Sequence, residues 1–252
     1  MGVRRGILLA VAAIACGVAA PCSGASSTPR GPDPVVGKWP RWPYPTTCGA
    51  LAFDPVQAFS GPTGVELGSQ PAEIALGEFL GVSQSPWPHR HDWRLVAESD
   101  GIAEFAHGRL SDRVEWLRFE QVDGQWRQAG YSGHCLPNSI VGDGPTMSWT
   151  LAAEQPAPSS ATKVVRVHLS GKGPCDGGRR YNAHAHPVFR RLGKRLLLTI
   201  WLDPLPPGNY TCQAPIEPPL TVKLPDRLGN SQLYDGKTYP PRPASRSARL
   251  RQ

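Results

Sequence analysis

Proline punctuates this chain from end to end: there are 28 in 252 residues, about twice the ordinary share. Each proline removes a backbone donor and fixes φ, which breaks helix interiors and keeps prolines out of central strands. With 27 glycines they cut the sequence into short apolar runs joined by turns. Apolar residues make up 40% and charged residues 19%, enough for a core, and proline plus glycine stays short of the level of a disordered chain. No apolar stretch reaches the ~18 residues of a spanning helix, which excludes a polytopic membrane protein. The chain has neither a glycine period of three nor a heptad, so collagen and coiled coil are excluded too. At this length one or two domains are expected.

The N-terminus carries an export pattern over residues 1–22. Arg4 and Arg5 precede a short apolar run, Ile7 to Ala15, which is too short to span a bilayer and fits the h-region of a signal. The run ends in Ala13-Ile14-Ala15-Cys16, which has the form of a lipobox, so Cys16 is expected to carry the lipid. Cys22, followed by Ser23 and Gly24, is the alternative anchor, although Pro21 before it argues against cleavage there. Free secretion after a cut near Ala20 is the third outcome.

Six cysteines occur, at 16, 22, 48, 135, 175 and 212. Their parity favours Cys22 as the anchor, since four would then remain in the mature chain; the recognition motif favours Cys16 and outweighs it. In an oxidising compartment Cys48, Cys135, Cys175 and Cys212 read as two disulfides rather than as catalytic or metal-bound thiols. Three connectivities are open. Cys48–Cys135 with Cys175–Cys212 is preferred because each bridge then staples one of two units.

Those units follow from the periodicity. Residues 23–45 are rich in Ser and Pro and read as a tether holding the body off the membrane. Within the tether, Trp39-Pro40-Arg41-Trp42-Pro43-Tyr44 is aromatic enough for the rings to lie back on the first unit, or to form a strip for sugars or a partner. Residues 46–142 predict a small α+β unit. Apolar positions 72, 75, 76, 79 and 80 mark one helix after Ser69 and Pro71, closed by Gly81. Four strands follow, over 93–98, 102–107, 114–121 and 125–131, with Asp100-Gly101 and Asp123-Gly124 as hairpin turns. The apolar face of the third strand switches between Trp116 and Leu117, which predicts a bulge or two-sided burial. Residues 143–240 predict a β-sandwich-like unit: Met147, Trp149 and Leu151 alternate, as do Val165, Val167 and Leu169, and Leu220, Val222 and Leu224. Leu196 to Leu202 is apolar almost throughout, as in a central strand buried on both faces. The fold class is therefore mainly β. Residues 241–252 read as a disordered basic tail.

Trp93-Arg94-Leu95-Val96-Ala97-Glu98, Gly130-Tyr131-Ser132-Gly133-His134-Cys135, Ser170-Gly171-Lys172-Gly173-Pro174-Cys175, Thr211-Cys212-Gln213 and Leu224-Pro225-Asp226-Arg227-Leu228-Gly229-Asn230 together resemble a group of uncharacterised actinobacterial exported proteins. The resemblance covers most of residues 70 to 240. It implies export and a two-part β-rich body, and it supplies no activity. The 21 arginines against 6 lysines fit such an origin, a G+C-rich genome.

Catalytic signatures are missing from the sequence. There is no GxSxG and no HExxH, and Ser231 stands where a phosphate loop ending in Gly236-Lys237-Thr238 needs glycine. His89/His91 and His184/His186 have the i, i+2 spacing that points two imidazoles one way on a strand. Arg90, and the pairs Arg179-Arg180 and Arg190-Arg191, repel a dication from them, so they read as solvated histidines; no metal and no cofactor is expected. Net charge is +7. Much of that sits in Arg4 and Arg5 and in the tail arginines 242, 246, 249 and 251, which leaves a nearly neutral body and excludes a dedicated nucleic-acid binder. Within the body, Arg179, Arg180, Arg190, Arg191, Lys194 and Arg195 follow one another with no acidic residue between them, a candidate contact for anionic lipid or a phosphate-rich envelope polymer. The expected function is an exported, lipid-anchored envelope protein with a binding or structural role, located at the outer membrane face or outside the cell. A protease-inhibitor-like secreted module is the alternative, and an enzyme without recognisable motifs a more distant one.

Overall fold

The computed structural model describes residues 33–61, 70–81, 93–111, 114–170, 181–209 and 218–246. Cys16, Cys22, Cys175, Cys212, Arg179, Arg180, the His89/His91 pair and residues 247–252 lie outside the described residues.

The body begins earlier than its composition suggests. Asp33 starts helix α1, Pro34–Lys38, with Oδ1 accepting from Val35 N at 2.9 Å and Pro34 in the first turn. Its Oδ2 accepts from Leu110 N at 2.9 Å, tying the helix to the sheet that follows. The stretch read as a tether to residue 45 therefore joins the folded body from Asp33 onward. After strand β1, Thr46–Thr47, helix α2, Pro55–Ser60, repeats the device: Asp54 accepts from Val56 N at 2.8 Å and Gln57 N at 3.2 Å, and Pro55 follows. Helix α3, Pro71–Gly81, matches the helical period, burying Ala72 and Leu76 and leaving Ile74 in solvent.

Strands β2 (Trp93–Ser99), β3 (Ile102–Gly108), β4 (Val114–Val122) and β5 (Gln125–Cys135) form an antiparallel meander in chain order. Both Asp-Gly turns carry positive φ: 50° at Asp100, 72° at Gly101, 52° at Asp123 and 77° at Gly124. Such turns match the twist of the paired strands. The β4–β5 register shifts between Arg118 and Phe119, and the sheet is buried on both faces. Phe105, Leu117 and Phe119 pack with Trp93 under α3. Ala106, Val114 and Trp116 pack on the other face with Val36, Phe53 and Phe59 from the N-terminal strip.

Strand β6 (Asn138–Ser139) pairs antiparallel with β1, and the Cys48–Cys135 disulfide closes beside this ladder with its Cα atoms 5.9 Å apart. The second half contributes β7 (Thr146–Leu151), β8 (Val164–Ser170), β9 (Ala185–Leu192), β10 (Arg195–Leu202), β11 (Leu220–Lys223), β12 (Gln232–Asp235) and β13 (Arg242–Pro243). They form one hydrogen-bonded path, β11-β8-β7-β10-β12-β13, with β9 added to β10. Strand β7 joins two arms: Thr146 and Met147 pair with β10, while Ser148 to Leu151 pair with β8. Apolar residues of both arms meet in one core, Val165, Val167 and Val222 from one and Leu196, Leu198, Ile200 and Leu233 from the other.

The C-terminal strip is ordered further than its composition predicts. Tyr234 and Asp235 pair with Pro243 and Arg242, Ala244 N donates to Leu233 O at 2.9 Å, and Leu151 N donates to Ser245 O at 2.8 Å. The expectation of a disordered tail from residue 241 is thus corrected for 241–246. It weighed apolar side chains only, whereas here free strand edges of β12 and β7 offer backbone partners.

Candidate anionic-ligand interface

Of the six basic residues singled out in the sequence, Arg190, Arg191, Lys194 and Arg195 lie on one hairpin. In β9, Arg190 and Arg191 are both exposed; Gly193 turns the chain at φ 58°, Lys194 follows in solvent, and Arg195 opens β10. Arg195 points inward. Its guanidinium lies 4.0 Å from the centroid of the Trp39 ring and donates to Lys38 O at 2.9 Å. That cation–π contact and hydrogen bond lock the hairpin to the end of α1. Arg190 lies 6.0 Å from the Tyr44 ring centroid, and Arg191 donates to Ser231 Oγ.

The joint brings two further cations to the hairpin, Lys38 and Arg41, both exposed. Neither 34–46 nor 185–202 contains an acidic residue. Five exposed cations, Lys38, Arg41, Arg190, Arg191 and Lys194, are thereby carried by two acid-free segments on a floor of aromatic rings. Trp39 meets Tyr234 edge-on at 5.2 Å and Trp42 meets Tyr239 at 5.3 Å; Tyr239 OH donates to Trp39 O at 3.0 Å. Burial pushes the Tyr44 phenol up, with the Thr199 hydroxyl and Arg190 working against it. Burial raises the Tyr239 phenol as well, and the acids Asp33 and Asp54 on that side of the floor add to it, while none of the five cations forms an ion pair among the described residues.

His184 and His186 take a different role. Both converge on Asp203 just past the end of β10: His184 Nδ1 is 3.1 Å from Oδ2 and His186 Nε2 is 2.6 Å from Oδ1. Hydrogen bonds from His186 and His184 hold the Asp203 carboxyl below the usual carboxylate range. The His186 ring stacks on Trp201 at 4.3 Å. Among the described residues no set of three His, Cys, Asp or Glu is placed to hold a metal ion.

Two buried carboxylates were not legible in the sequence. Glu104, in the middle of β3, is fully buried and accepts from Ala50 N at 2.6 Å; burial pushes its carboxyl up. Asp235 accepts from Lys237 N at 2.9 Å and from Trp149 N at 3.3 Å, and desolvation raises it to about 6. Both hold backbone rather than face solvent. The available signal was positional for Glu104, which sits inside the strand pattern of 102–107; Asp235 lies in β12, a strand the periodicity does not mark. Lys38 and Arg41 were missed because the chain around them reads as linker. No family model, no curated protein and no solved structure matches the chain.

Proposed function

We propose that this chain is an exported cell-envelope protein, lipid-anchored at Cys16, whose body docks onto an anionic envelope surface through the β9–β10 hairpin and the N-terminal strip. The observation that carries the reading is the Arg195–Lys38 junction, which unites Arg190, Arg191 and Lys194 with Lys38 and Arg41. The Cys48–Cys135 bridge fits an oxidising compartment, and among the described residues no helix is long and apolar enough to cross a membrane. The anchor and the patch then act together: the lipid holds the body at the membrane and the cations orient it against the anionic surface. Lys38 and Arg41 follow Cys16 by 22 and 25 residues in the sequence, a span long enough for lipid and cations to meet one surface.

Each cation near an anionic leaflet contributes on the order of 1 kcal/mol. Replacing Arg190, Arg191 and Lys194 by Gln in the unacylated full chain should weaken binding to phosphatidylglycerol vesicles by about 100-fold at low salt. Wild-type binding should fall as salt rises. Equal binding of the triple variant and wild type would sink the proposal. Intact mass of the exported protein reports the lipid on Cys16 directly.

A further inference from the structure

Immediately after β11 the backbone rises into a short arch. Leu224 N donates to Lys163 O at 2.8 Å, Leu228 N to Thr162 O at 2.9 Å and Gly229 N to Ser160 O at 2.9 Å, which zips the segment against 160–163. Leu224 and Leu228 are each 3% exposed and reach into the core of the second half. Gly229 takes φ 59°, and Ser159 N donates to Thr162 Oγ1 at 2.8 Å to brace the opposite wall. Between these anchors Pro225, Asp226 and Arg227 are all exposed.

The arch borders a cavity of about 410 Å³, lined by Lys163, Lys223, Leu224, Pro225, Asp226 and Arg227. That volume is in the range of small-ligand sites. Three cations and one carboxylate share it, and among the described residues none of the four forms an ion pair. The opening lies on the β11 arm, away from the β9–β10 hairpin along the sheet path.

The mixture selects a chemistry. Two ammonium groups and a guanidinium favour an anionic phosphate, monoester or diester, since charge-assisted bonds to phosphate are the strong ones. Asp226 repels a second phosphate and instead accepts from a hydroxyl. The Pro225 ring offers an apolar wall to C–H groups. We propose that the cavity of Lys163, Lys223, Asp226 and Arg227 binds a phosphorylated polyol or sugar, with the phosphate among the cations and a hydroxyl on Asp226. Such a group exists both as a free metabolite and as a glycerophospholipid headgroup, and the two sources are separable.

Calorimetric titration of the unacylated full chain with glycerol 3-phosphate at low salt tests the site, with inorganic phosphate and glycerol as comparisons. Glycerol 3-phosphate should bind most tightly, and Arg227→Gln and Lys163→Gln should each weaken it about tenfold. Asp226→Asn should erase the preference for glycerol 3-phosphate over inorganic phosphate while keeping phosphate binding. All three side chains are exposed, so unchanged thermal unfolding certifies the variants. Sedimentation with phosphatidylglycerol against phosphatidylcholine vesicles identifies the source: loss of binding in Arg227→Gln assigns a lipid headgroup, and unchanged binding assigns the free metabolite. Arg190→Gln/Arg191→Gln should leave the titration unaltered, so failure of this site and failure of the envelope-docking surface are distinguishable. No saturable binding at millimolar glycerol 3-phosphate, or equal affinity in wild type and Arg227→Gln, overturns the proposal.

Discussion

Asp235 makes the stability of this protein depend on pH in a direction opposite to that of a salt-bridged carboxylate. Its side chain is 7% exposed on β12, and desolvation raises its pKa from 3.8 to about 6 despite the two N–H bonds and the charges of Lys237 and Arg242. The folded state thus keeps a proton that the unfolded chain gives up near 3.8. Because the folded value is the higher one, the Asp235 contribution is full below the unfolded value and is lost as pH rises through about 6. At about 1.4 kcal/mol per pH unit, the gap is worth about 3 kcal/mol. Asp235→Asn removes the titration and keeps an oxygen for Lys237 N. It sets an amide N–H against Trp149 N, a cost of about 1–3 kcal/mol at every pH. A single-pH comparison therefore decides nothing. Urea unfolding of both proteins from pH 4 to pH 8 isolates the titration. Wild-type stability minus that of Asp235→Asn should fall by about 2.4 kcal/mol across that range, the rest of the gap lying below pH 4, and level off above about pH 7. A flat difference would refute the buried protonated carboxyl. A rising one would mean that Lys237 and Arg242 hold it ionised.

Two further outcomes test the packing. Cys48→Ala/Cys135→Ala opens a loop closed over a sequence separation of 87 and should cost about 4–5 kcal/mol in urea unfolding; a loss under about 1 kcal/mol would contradict the chain-entropy account. Gly144→Ala places a Cβ 1.9 Å from the carbonyl oxygen of Leu202, a backbone atom that cannot swing aside, and should cost about 2–3 kcal/mol by thermal unfolding.

The parts of the fold legible in the sequence are those set by neighbours along the chain. Helix α3 carries its stripe within eleven residues, and β2 to β5 are joined by Asp-Gly turns whose backbone preference is local. The switch at Trp116–Leu117 correctly signals a sheet covered on both faces. What escaped depends on distant partners. Trp39 reads as linker until Tyr239 supplies a lid 200 residues later, and the strip at 242–246 reads as tail until β12 and β7 offer their edges. The two short helices left a trace, Asp33-Pro34 and Asp54-Pro55, a cap followed by proline, which a search for caps without waiting for an apolar stripe would have found. The basic run around Arg190 was visible, but the inward turn of Arg195 was not, because it is set by an aromatic ring 156 positions upstream.

The meeting of Trp39 and Trp42 with Tyr234 and Tyr239 also sets the order of assembly. A chain delivered N-terminus first, from a ribosome or through an export channel, presents its tryptophans roughly 200 residues before the tyrosines that cover them. Until then the aromatic floor is open and β10 lacks β12, the only parallel neighbour among the described strands. Closure at the seam waits for the last strands, and both termini of the body are fastened there in the same event. The core under α3 needs nothing beyond Trp126, so a chain delivered in this order can complete that core first and this seam last.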